Sequence, residues 1–352
     1  MTLVDYTIIG GGIGGLCAAA RLLELGFSPL VIEAGQYPAH KVCGEFISPP
    51  MIAQLNRWGI TPLPINTVSW SAGKKTLSFA LPFPAGSLSH LTLDLQLAQL
   101  ISRGGATLLT STKVIGLTPP DREGQRHSLT LSSGEEIQSK HLLIATGRLP
   151  GYPSKKQQIR YIGLKAHFTG IDLNSALHMF SFEGAYLGLV PVENGWSNLA
   201  CLMEIEKYRQ FSSANEAMQS LVSSQHELKS LLSCASPLFD EWMEAAVPEF
   251  GWRSPPQWPH TYWIADAAGT IPPASGNGLS LAIASGCLAA EYAVNNQPLH
   301  FKKAWKRKCG LQMRLAKKLH QLFLSPSWGS RAAALSGYFP LIAQKVFALT
   351  RL

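Results

Sequence analysis

From Met1 to Glu33 the chain alternates apolar runs with a glycine-rich segment, a pattern that predicts a strand, a helix and a second strand. Tyr6–Ile9 is short, apolar and β-branched, which is typical of a buried parallel strand. The small residues Ala18–Ala20 suit a helix packed closely on a sheet. Gly26 is expected to end that helix, and Pro29–Glu33 to form the next strand. The chain therefore opens with a βαβ unit.

Further along, short alternating or continuous apolar segments predict a second, broad antiparallel sheet. Val68–Trp70 and Leu77–Leu81 predict one of its hairpins. Four later segments have the same character: Ile162–Phe168, Leu177–Phe180, Ala185–Val190 and Ser197–Met203. Between and after these strands, Leu93–Ser102 and Tyr208–Leu232 have helical composition, the second with Ser212 or Ser213 as its N-cap.

The glycines after the first strand have the spacing of a nucleotide-binding turn. Gly10, Gly12 and Gly15 fill a G-x-G-x-x-G frame, which provides a tight turn, close approach to a pyrophosphate and helix–strand contact. The helix that follows offers free N–H groups and partial positive charge to phosphates. Glu33, 23 positions after Gly10, is placed to accept hydrogen bonds from a ribose diol. We therefore predict a dinucleotide site; the alternative is a βαβ unit whose glycines serve packing only.

A second segment near the end of the chain identifies the dinucleotide as FAD. Tyr262–Gly269 predicts a strand running into a turn with Asp266, and Pro273–Leu279 opens a helix. A nicotinamide enzyme needs one glycine-rich turn, whereas FAD is long enough to need both ends held. Asp266 would accept from a ribityl or ribose hydroxyl, and the amides of Gly276–Leu279 would face the pyrophosphate and the flavin's pyrimidine edge. Taken alone, the segment also fits a Gly/Pro loop before an amphipathic helix.

Together these segments resemble the FAD-dependent family that includes geranylgeranyl reductases and para-hydroxybenzoate-hydroxylase-like monooxygenases, over nearly the whole chain. Lys41–Glu45 resembles the K-x-C-G segment of the reductase branch, which passes near the isoalloxazine. Tyr186–Pro191 is similar to that branch's Y-x-W-x-F-P substrate motif. The resemblance implies substrate contacts from Phe180, Tyr186, Gly188 and Pro191. It implies FAD contacts from Gly10, Gly12, Ile13, Gly14, Gly15, Glu33, Ala34, Lys41, Cys43, Gly44, His90, Val114, Ala145, Gly147, Asp266, Gly276, Asn277, Gly278 and Leu279.

Several positions depart from the family pattern. Ala265 replaces the glycine that precedes the last-motif aspartate, and His90 stands where relatives commonly carry an arginine. Residues 144–148 lack the Asp-Gly element of the hydroxylases, which weakens the case for direct reduction by NAD(P)H. Gly188 and Val190 replace the Trp and Phe of the reductase motif, which opens the pocket.

These observations predict an α/β fold. A Rossmann-like FAD-binding domain of the glutathione-reductase type would carry an inserted antiparallel β-sheet substrate domain and a C-terminal helical tail. The expected ranges are 1–65, 88–150 and 255–296 for the FAD-binding domain, 66–87 and 151–254 for the substrate domain, and 297–352 for the basic helical region.

The net charge of +8 resides in the last part of the chain, because residues 299–352 contain eleven Lys and Arg and no Asp or Glu. Basic residues alternate there with Trp305, Leu319 and Phe323 at helical spacing. Such a helix is a candidate for binding an anionic membrane surface, with Trp305 and Phe323 inserted. The alternative is a capping helix that packs its apolar stripe on the FAD domain and leaves its lysines in water. No nucleic-acid-binding module is present.

The six cysteines include no C-x-x-C pair, which argues against zinc, iron–sulfur clusters and disulfides. We therefore predict no metal site. No apolar run reaches the length of a membrane span, and no basic leader precedes the first strand. These features favour a cytoplasmic protein, with peripheral association at the inner face of the membrane as a further expectation.

Four residues are candidates for acid–base chemistry. Cys43 could donate a proton beside the flavin or tune its redox chemistry, or be small filler. Lys165, His167 and His178 are acid–base candidates, with hydrogen-bonded structural roles as the alternative.

The sequence leaves three functions open, all with a small apolar substrate or ligand. In the first, reduced FAD delivers hydride to a C=C bond of a lipid-like substrate, or the site runs the reverse as a desaturase. In the second, a flavin hydroperoxide hydroxylates an aromatic substrate. The third is a flavin-binding protein without catalysis. The electron donor would be NAD(P)H or a separate donor.

Overall fold

The structure is a computed structural model that describes residues 2–122, 124–148, 158–338 and 340–351. The predicted domain boundary between residues 150 and 151 lies outside the described residues. The elements of the first half of the chain are β1 Thr2–Ile9, α1 Ile13–Glu24, β2 Leu30–Ile32, β3 Phe46–Ile47, α2 Pro49–Arg57, β4 Leu63–Ala72, β5 Lys75–Ser87, α3 His90–Arg103, β6 Thr107–Leu109, β7 Val114–Thr118, β8 His127–Leu131 and β9 Glu136–Ile144.

The second half of the chain contributes most of the larger sheet and the C-terminal helices. Its elements are β10 Ile159–Thr169, β11 Ala176–Phe182, β12 Ala185–Pro191, β13 Ser197–Glu204, α4 Ile205–Tyr208, α5 Ala214–Ser224, α6 His226–Leu231, β14 Ser236–Pro237, β15 Met243–Pro248, β16 Gly251–Trp252, β17 Thr261–Trp263, β18 Gly269–Thr270, α7 Gly278–Val294, α8 Pro298–Phe323, α9 Pro326–Tyr338 and α10 Pro340–Leu349. Short 3₁₀ turns lie at Glu193–Gly195, Ala265–Ala267 and Pro273–Ser275.

The first sheet aligns the ends of its parallel strands at one edge. Among the described residues it has seven strands, in the order β6–β2–β1–β9–β8–β7, with β17 also beside β9. Ile9 pairs with Ile32 and with Ile144, and Ile144 pairs with Trp263. The carboxyl ends of β1, β2, β9 and β17 therefore lie side by side, where open α/β sheets bind ligands.

Helices α1 and α7 pack closely against each other because small residues line the contact between them. A Cβ on Gly286 would lie 2.3 Å from the carbonyl oxygen of Gly14 and 3.0 Å from the backbone nitrogen of Ala18. Ala18, Ala19 and Ala20 are all buried in this core. Ala18, predicted to suit a helix packed on the sheet, thus lies at the contact between α1 and α7.

The larger sheet has nine strands in the described part of the chain, in the order β14–β10–β13–β12–β11–β4–β5–β3, with β15 beside β10. It is antiparallel apart from one parallel pair, β4 with β11. β3 and the start of β4 belong to it although they precede residue 66. Helices α5 and α6 cover one face around Phe180 and Leu187.

The predicted helix at 208–232 is divided into shorter helices. α5 begins at its N-cap Ser213, whose side chain accepts a hydrogen bond from the Glu216 backbone N–H. Gln225, with φ −128° and ψ 108°, interrupts the helix before α6 because that backbone conformation is extended.

The C-terminal helices pack against the body. α8 buries Trp305 and Phe323, and its Lys303, Lys308 and Lys318 side chains are exposed. The apolar stripe of α8 thus packs on the body, as in the capping alternative, and both rings are covered by protein. Binding of this region to a membrane surface stays a prediction. In the part of the chain that the structure describes, no helix is both long and apolar enough to span a bilayer.

Candidate active site

The glycine-rich turn forms an open cradle at the N-terminus of α1. Gly10 has φ +102°, and a Cβ there would lie 2.4 Å from the Ala145 carbonyl oxygen. A Cβ on Gly15 would lie 2.0 Å from the Gly10 carbonyl oxygen. A Cβ on Gly12, in contrast, would meet only the Lys41 Nζ, at 3.9 Å. Gly10 and Gly15 thus shape the turn, and Gly12 keeps its outer side clear.

The cradle has the donors that a pyrophosphate requires. Gly12 is the N-cap of α1 and provides no side-chain cap, so the first N–H groups of the helix, at Ile13, Gly14 and Gly15, have no partner within it. The first turn carries no acidic side chain. With the ammonium of Lys41 beside Gly12, this end of the helix suits an anion.

Glu33 follows β2 and is held by the same turn. Its carboxylate accepts hydrogen bonds from the backbone N–H groups of Gly11 at 2.6 Å and Gly35 at 2.7 Å. Its backbone carbonyl accepts from the Thr112 N–H, which brings the start of β7 at Val114 to this side. Ala34 is exposed beside Glu33. These positions fit the adenosine end of FAD.

The other half of the cofactor site lies beyond β17. Ala265 adopts φ +50°, in the left-handed region that favours glycine, so a glycine would adopt this conformation without strain. Asp266 lies 3.8 Å from the Arg148 guanidinium. Gly147 follows β9 with φ +68°, and Gly276 has φ +64° just before α7. Asn277 is buried at the α7 N-terminus, and Gly278 and Leu279 form its first turn. The open cradle, two free helix N-termini and two strand-end carboxylates together fit FAD.

A chain of ionisable groups connects the Gly12 cradle to Cys43. Lys41 Nζ lies 2.6 Å from Asp94, and the other Asp94 oxygen lies 2.9 Å from His90 Nδ1. His90 and the Cys43 thiol also interact electrostatically, since each shifts the pKa of the other. His90 therefore lies between a carboxylate and a thiol.

The electrostatics of this chain keep His90 protonated and Cys43 easily deprotonated. Burial opposes the charge of His90, but Asp94 and Cys43 outweigh it and raise the pKa of His90 to about 10. Burial would raise the pKa of Cys43, but the hydrogen bond and charge of His90 lower it overall. A cysteine beside an imidazolium is a proton source or a nucleophile at neutral pH.

Behind Cys43 lies a second, fully buried cluster of Glu45, Lys165 and His167. Glu45 pairs with the Lys165 ammonium, and its other oxygen lies 2.7 Å from His167 Nε2. It also accepts from the His90 backbone N–H at 2.8 Å. Burial disfavours the carboxylate, but His167 and Lys165 lower the pKa of Glu45 overall. The cluster ties the Cys43 segment to β10 and α3.

None of the three predicted acid–base candidates on the larger sheet lines the large apolar cavity between that sheet and the cofactor side. Lys165 and His167 hold Glu45, and His178 lies 3.7 Å from Glu227 in a separate groove. Lys165 and His167 therefore take the structural alternative, whereas the Nδ1 of His178 has no hydrogen-bond partner among the described residues. Sequence reasoning missed Glu45, although Lys165 and His167, two residues apart on one strand face, required a buried carboxylate.

A cavity of about 340 Å³ lies between the cofactor side and the larger sheet. Cys43, Gly44 and Gly276 line its cofactor side, and Tyr186 and Gly188 its sheet side. A Cβ on Gly188 would lie 3.2 Å from the Met179 Sδ, so glycine keeps this wall open. Most other lining residues are apolar, among them Val42, Phe46, Val68, Trp70, Leu77, Phe79, Leu177, Met179, Leu202, Val247, Leu319, Leu322, Phe323, Val346 and Phe347.

Two predicted substrate residues lie elsewhere. Phe180 is fully buried under α5 on the opposite face, because successive strand residues point to opposite sides and Met179 faces the cavity. Pro191 is outside the lining and its carbonyl accepts from the Ser87 hydroxyl. The prediction that Phe180 contacts substrate in this cavity is therefore wrong.

The C-terminal helices form a wall that sequence reasoning did not predict. Phe347 and Arg351 line the cavity together with residues of α8 and α9. Arg351 lies 303 positions from Ser48, its hydrogen-bond partner, so no local pattern could have shown the contact.

Comparison with known proteins gives three findings. A family profile described as pyridine nucleotide-disulphide oxidoreductase matches residues 4–178. A menaquinone reductase of Mycolicibacterium smegmatis is 24% identical over 339 residues, covering 86% of this chain and 80% of that protein. A menaquinone reductase of Mycobacterium tuberculosis is 25% identical over 321 residues, covering 82% and 76%.

Solved structures share the fold over nearly the whole chain. The flavin-dependent brominase Bmp2 superposes with a TM-score of 0.80 at 18% identity, covering 99% of this chain and 93% of its own. PqsL of Pseudomonas aeruginosa, described as a probable FAD-dependent monooxygenase, gives 0.76 at 13% identity, covering 94% and 99%. At these identities the likeness establishes the fold alone.

Proposed function

We propose that this chain, an FAD-dependent oxidoreductase, reduces a carbon–carbon double bond in a lipid-like quinone. The same site would catalyse the reverse reaction, desaturation, with an oxidising partner. The two menaquinone reductase relatives support a substrate that joins a quinone ring to an isoprenoid chain.

The observation that carries this proposal is the apolar character of the cavity. Of the described residues that line it, only Arg148 and Arg351 are charged. A polar substrate would leave its hydrogen-bonding groups unpaired against such walls, which is costly. An isoprenoid chain has no such groups and gains from leaving water.

The residues of the chain have separate tasks in this reaction. When bound, FAD would supply the hydride for one carbon of the double bond. The other carbon would receive a proton from the His90–Cys43 pair, in which His90 holds the proton and Cys43 Sγ, at the cavity wall, would relay it. The apolar walls exclude water and orient the chain.

Aromatic hydroxylation is the second candidate function. The open wall at Gly188 beside Met179 would accept a ring as readily as an isoprenoid chain. The absence of the Asp-Gly element at residues 144–148 counts against it, because that element supports NAD(P)H use in the hydroxylases.

One anaerobic experiment distinguishes the two functions. The holoprotein is reduced with NADH, NADPH or, if neither acts, dithionite, and the flavin band near ~450 nm is followed. A short-chain menaquinone is then added without oxygen. We expect the band to return and the product to gain two hydrogens in its side chain, by mass spectrometry.

Other outcomes of this experiment would indicate ring reduction, hydroxylation or a separate electron donor. Mass gain in the quinone ring alone, or no reoxidation until air is admitted, would contradict the proposal. Addition of one oxygen atom to an aromatic substrate in air would establish hydroxylation. Bleaching by dithionite alone would show that a separate electron donor serves the enzyme.

A further inference from the structure

Arg351 brings a cation to the N-terminus of α7 from the far end of the chain. Its Nη1 donates to the Ser275 carbonyl at 2.7 Å, the Asn277 Oδ1 at 2.8 Å and the Ser48 Oγ at 2.9 Å. Its Cζ lies 3.7 Å from the Phe347 ring centroid. These contacts hold the guanidinium plane at the cavity wall.

The opposite edge of the guanidinium has no partner among the residues that the structure describes. The Nε is buried and makes no hydrogen bond, and Nη2 makes none either within 2–122, 124–148, 158–338 and 340–351. In the same ranges no carboxylate lies within 4.0 Å of Arg351, whereas the other cation of the cavity, Arg148, faces Asp266. Burial lowers the pKa of Arg351 to about 9, so it is still a cation at pH 7.

A buried cation such as Arg351 is expected to lie beside an anion, but the group beside it is the partially positive N-terminus of α7. The first turn of α7 has no acidic side chain, and Asn277 does not cap its N–H groups. The partial positive charge of this helix end disfavours a neighbouring arginine by itself. The guanidinium of Arg351 and the N-terminus of α7 thus lie next to each other, and an anion near them would be stabilised by both positive charges.

We propose that Arg351 faces the pyrimidine side of the bound flavin and stabilises the negative charge that this ring gains on reduction. Its three anchors lie on the cofactor side, since Ser275 and Asn277 flank the α7 N-terminus and Ser48 follows the Cys43 segment. The site thereby makes the flavin easier to reduce. The inference rests on FAD binding at α7 and is independent of the substrate proposed above.

A purely structural role for Arg351 is the competing explanation, because its side chain helps attach α10. The backbone contributes separate bonds to that attachment. The Thr350 carbonyl accepts from Asn277 Nδ2 and the Arg351 carbonyl accepts from Gln312 Nε2 at 2.7 Å. A side-chain substitution leaves these bonds in place, so the charge can be removed without releasing the helix end.

The test compares substrate-free holoproteins reconstituted with excess FAD. Arg351→Met keeps an unbranched apolar side chain without the charge, Arg351→Gln is a second neutral variant, and Arg351→Lys keeps the charge. Arg331→Met is the matched control, because Arg331 is exposed on α9 and outside the cavity lining. The probe is sulfite, an anion that adds reversibly to oxidised flavin and leaves negative charge on the pyrimidine side.

We expect the sulfite Kd to rise about tenfold or more in both neutral variants, the effect of one lost charge-assisted contact. The flavin midpoint potential should become more negative in the same variants. Arg351→Lys should lie between the neutral variants and the wild type, and Arg331→Met should match the wild type. Wild-type sulfite affinity and potential in the neutral variants would overturn the proposal, and a lowered Tm without these changes would assign Arg351 a structural role.

Discussion

His90 shows how one substitution relative to a family pattern is compensated by its surroundings. An arginine at this position would bring a permanent charge. Here Asp94 and Cys43 keep an imidazole charged instead, with a pKa of about 10. The thiol of Cys43 therefore depends on His90 for its acidity, and this dependence can be measured without any substrate.

We expect His90→Asn to slow alkylation of Cys43 by iodoacetamide at pH 7. Without the imidazolium the pKa of Cys43 rises. The thiolate fraction at pH 7 then falls about tenfold for each unit by which that pKa increases. The rate is read from the Cys43 peptide by mass spectrometry. Cys234, free and exposed, is the internal reference. Equal Cys43 rates in both proteins would show that His90 does not set the thiol's acidity.

Ala265 is strained by its backbone conformation. An L-residue at φ +50° costs roughly 1–2 kcal/mol relative to glycine, partly offset by the greater freedom of glycine in the unfolded chain. We expect Ala265→Gly to stabilise the protein by up to about 1 kcal/mol in urea unfolding. Ala268→Gly, at φ −87°, is the control and should destabilise it. Lower stability for Ala265→Gly would show that the Ala265 methyl group contributes more by packing than its conformation costs.

At the scale of elements, the sequence predicted where its main candidate cofactor residues lie, because each of them follows a strand. Gly10, Glu33 and Asp266 come from short sequence segments whose type the pattern of apolar positions already indicates. Phe180 was not predictable in the same way, because a strand's two faces are distinguished only by what packs on each. The Arg351 contact depends on long-range packing, which a local pattern does not contain.

The N-terminus of α1 provides a direct test of the cradle. Gly12→Val would place a branched side chain in the open space outside the turn, where we expect the pyrophosphate. We expect the purified variant to be colourless and to bind added FAD at least about a hundredfold more weakly, since the phosphate contacts are blocked. The measurement is the flavin absorbance after gel filtration.

Gly310→Val is the control for this variant. A Cβ at Gly310, in α8, meets nothing within 4 Å, so the same side chain there should leave the flavin content unchanged. Full yellow colour in Gly12→Val would show that the pyrophosphate does not bind in the cradle.

At the scale of the whole molecule, charge is distributed unevenly. The exposed lysines of α8 lie in the part of the chain without acidic residues, and the exposed Trp328 and Leu349 lie on the helices that follow. A substrate with an isoprenoid chain resides in a membrane. We therefore expect the holoprotein to sediment with vesicles containing anionic lipid, and to be released as salt screens the attraction.

The prediction is tested with two variants of equal charge. Binding should fall in Lys303→Gln/Lys308→Gln/Lys318→Gln and persist in Lys113→Gln/Lys140→Gln/Lys229→Gln, whose lysines are exposed on other elements. Equal sedimentation of both variants would show that the lysines of α8 do not bind the membrane and that α8 serves only to cap the body. The apolar anchors would be Trp328 and Leu349, since Trp305 and Phe323 are buried.

The wall formed by α8–α10 gives the cavity an order of assembly during synthesis. The glycine-rich turn and Glu33 lie near the start of the sequence, whereas the wall residues Phe347 and Arg351 lie more than 300 positions later. All strands of both sheets precede α8 in the chain, so the wall is the part of the cavity that is synthesised last. In a chain that lacked α8–α10 these wall residues would be missing, and the cavity would be open to solvent on that side.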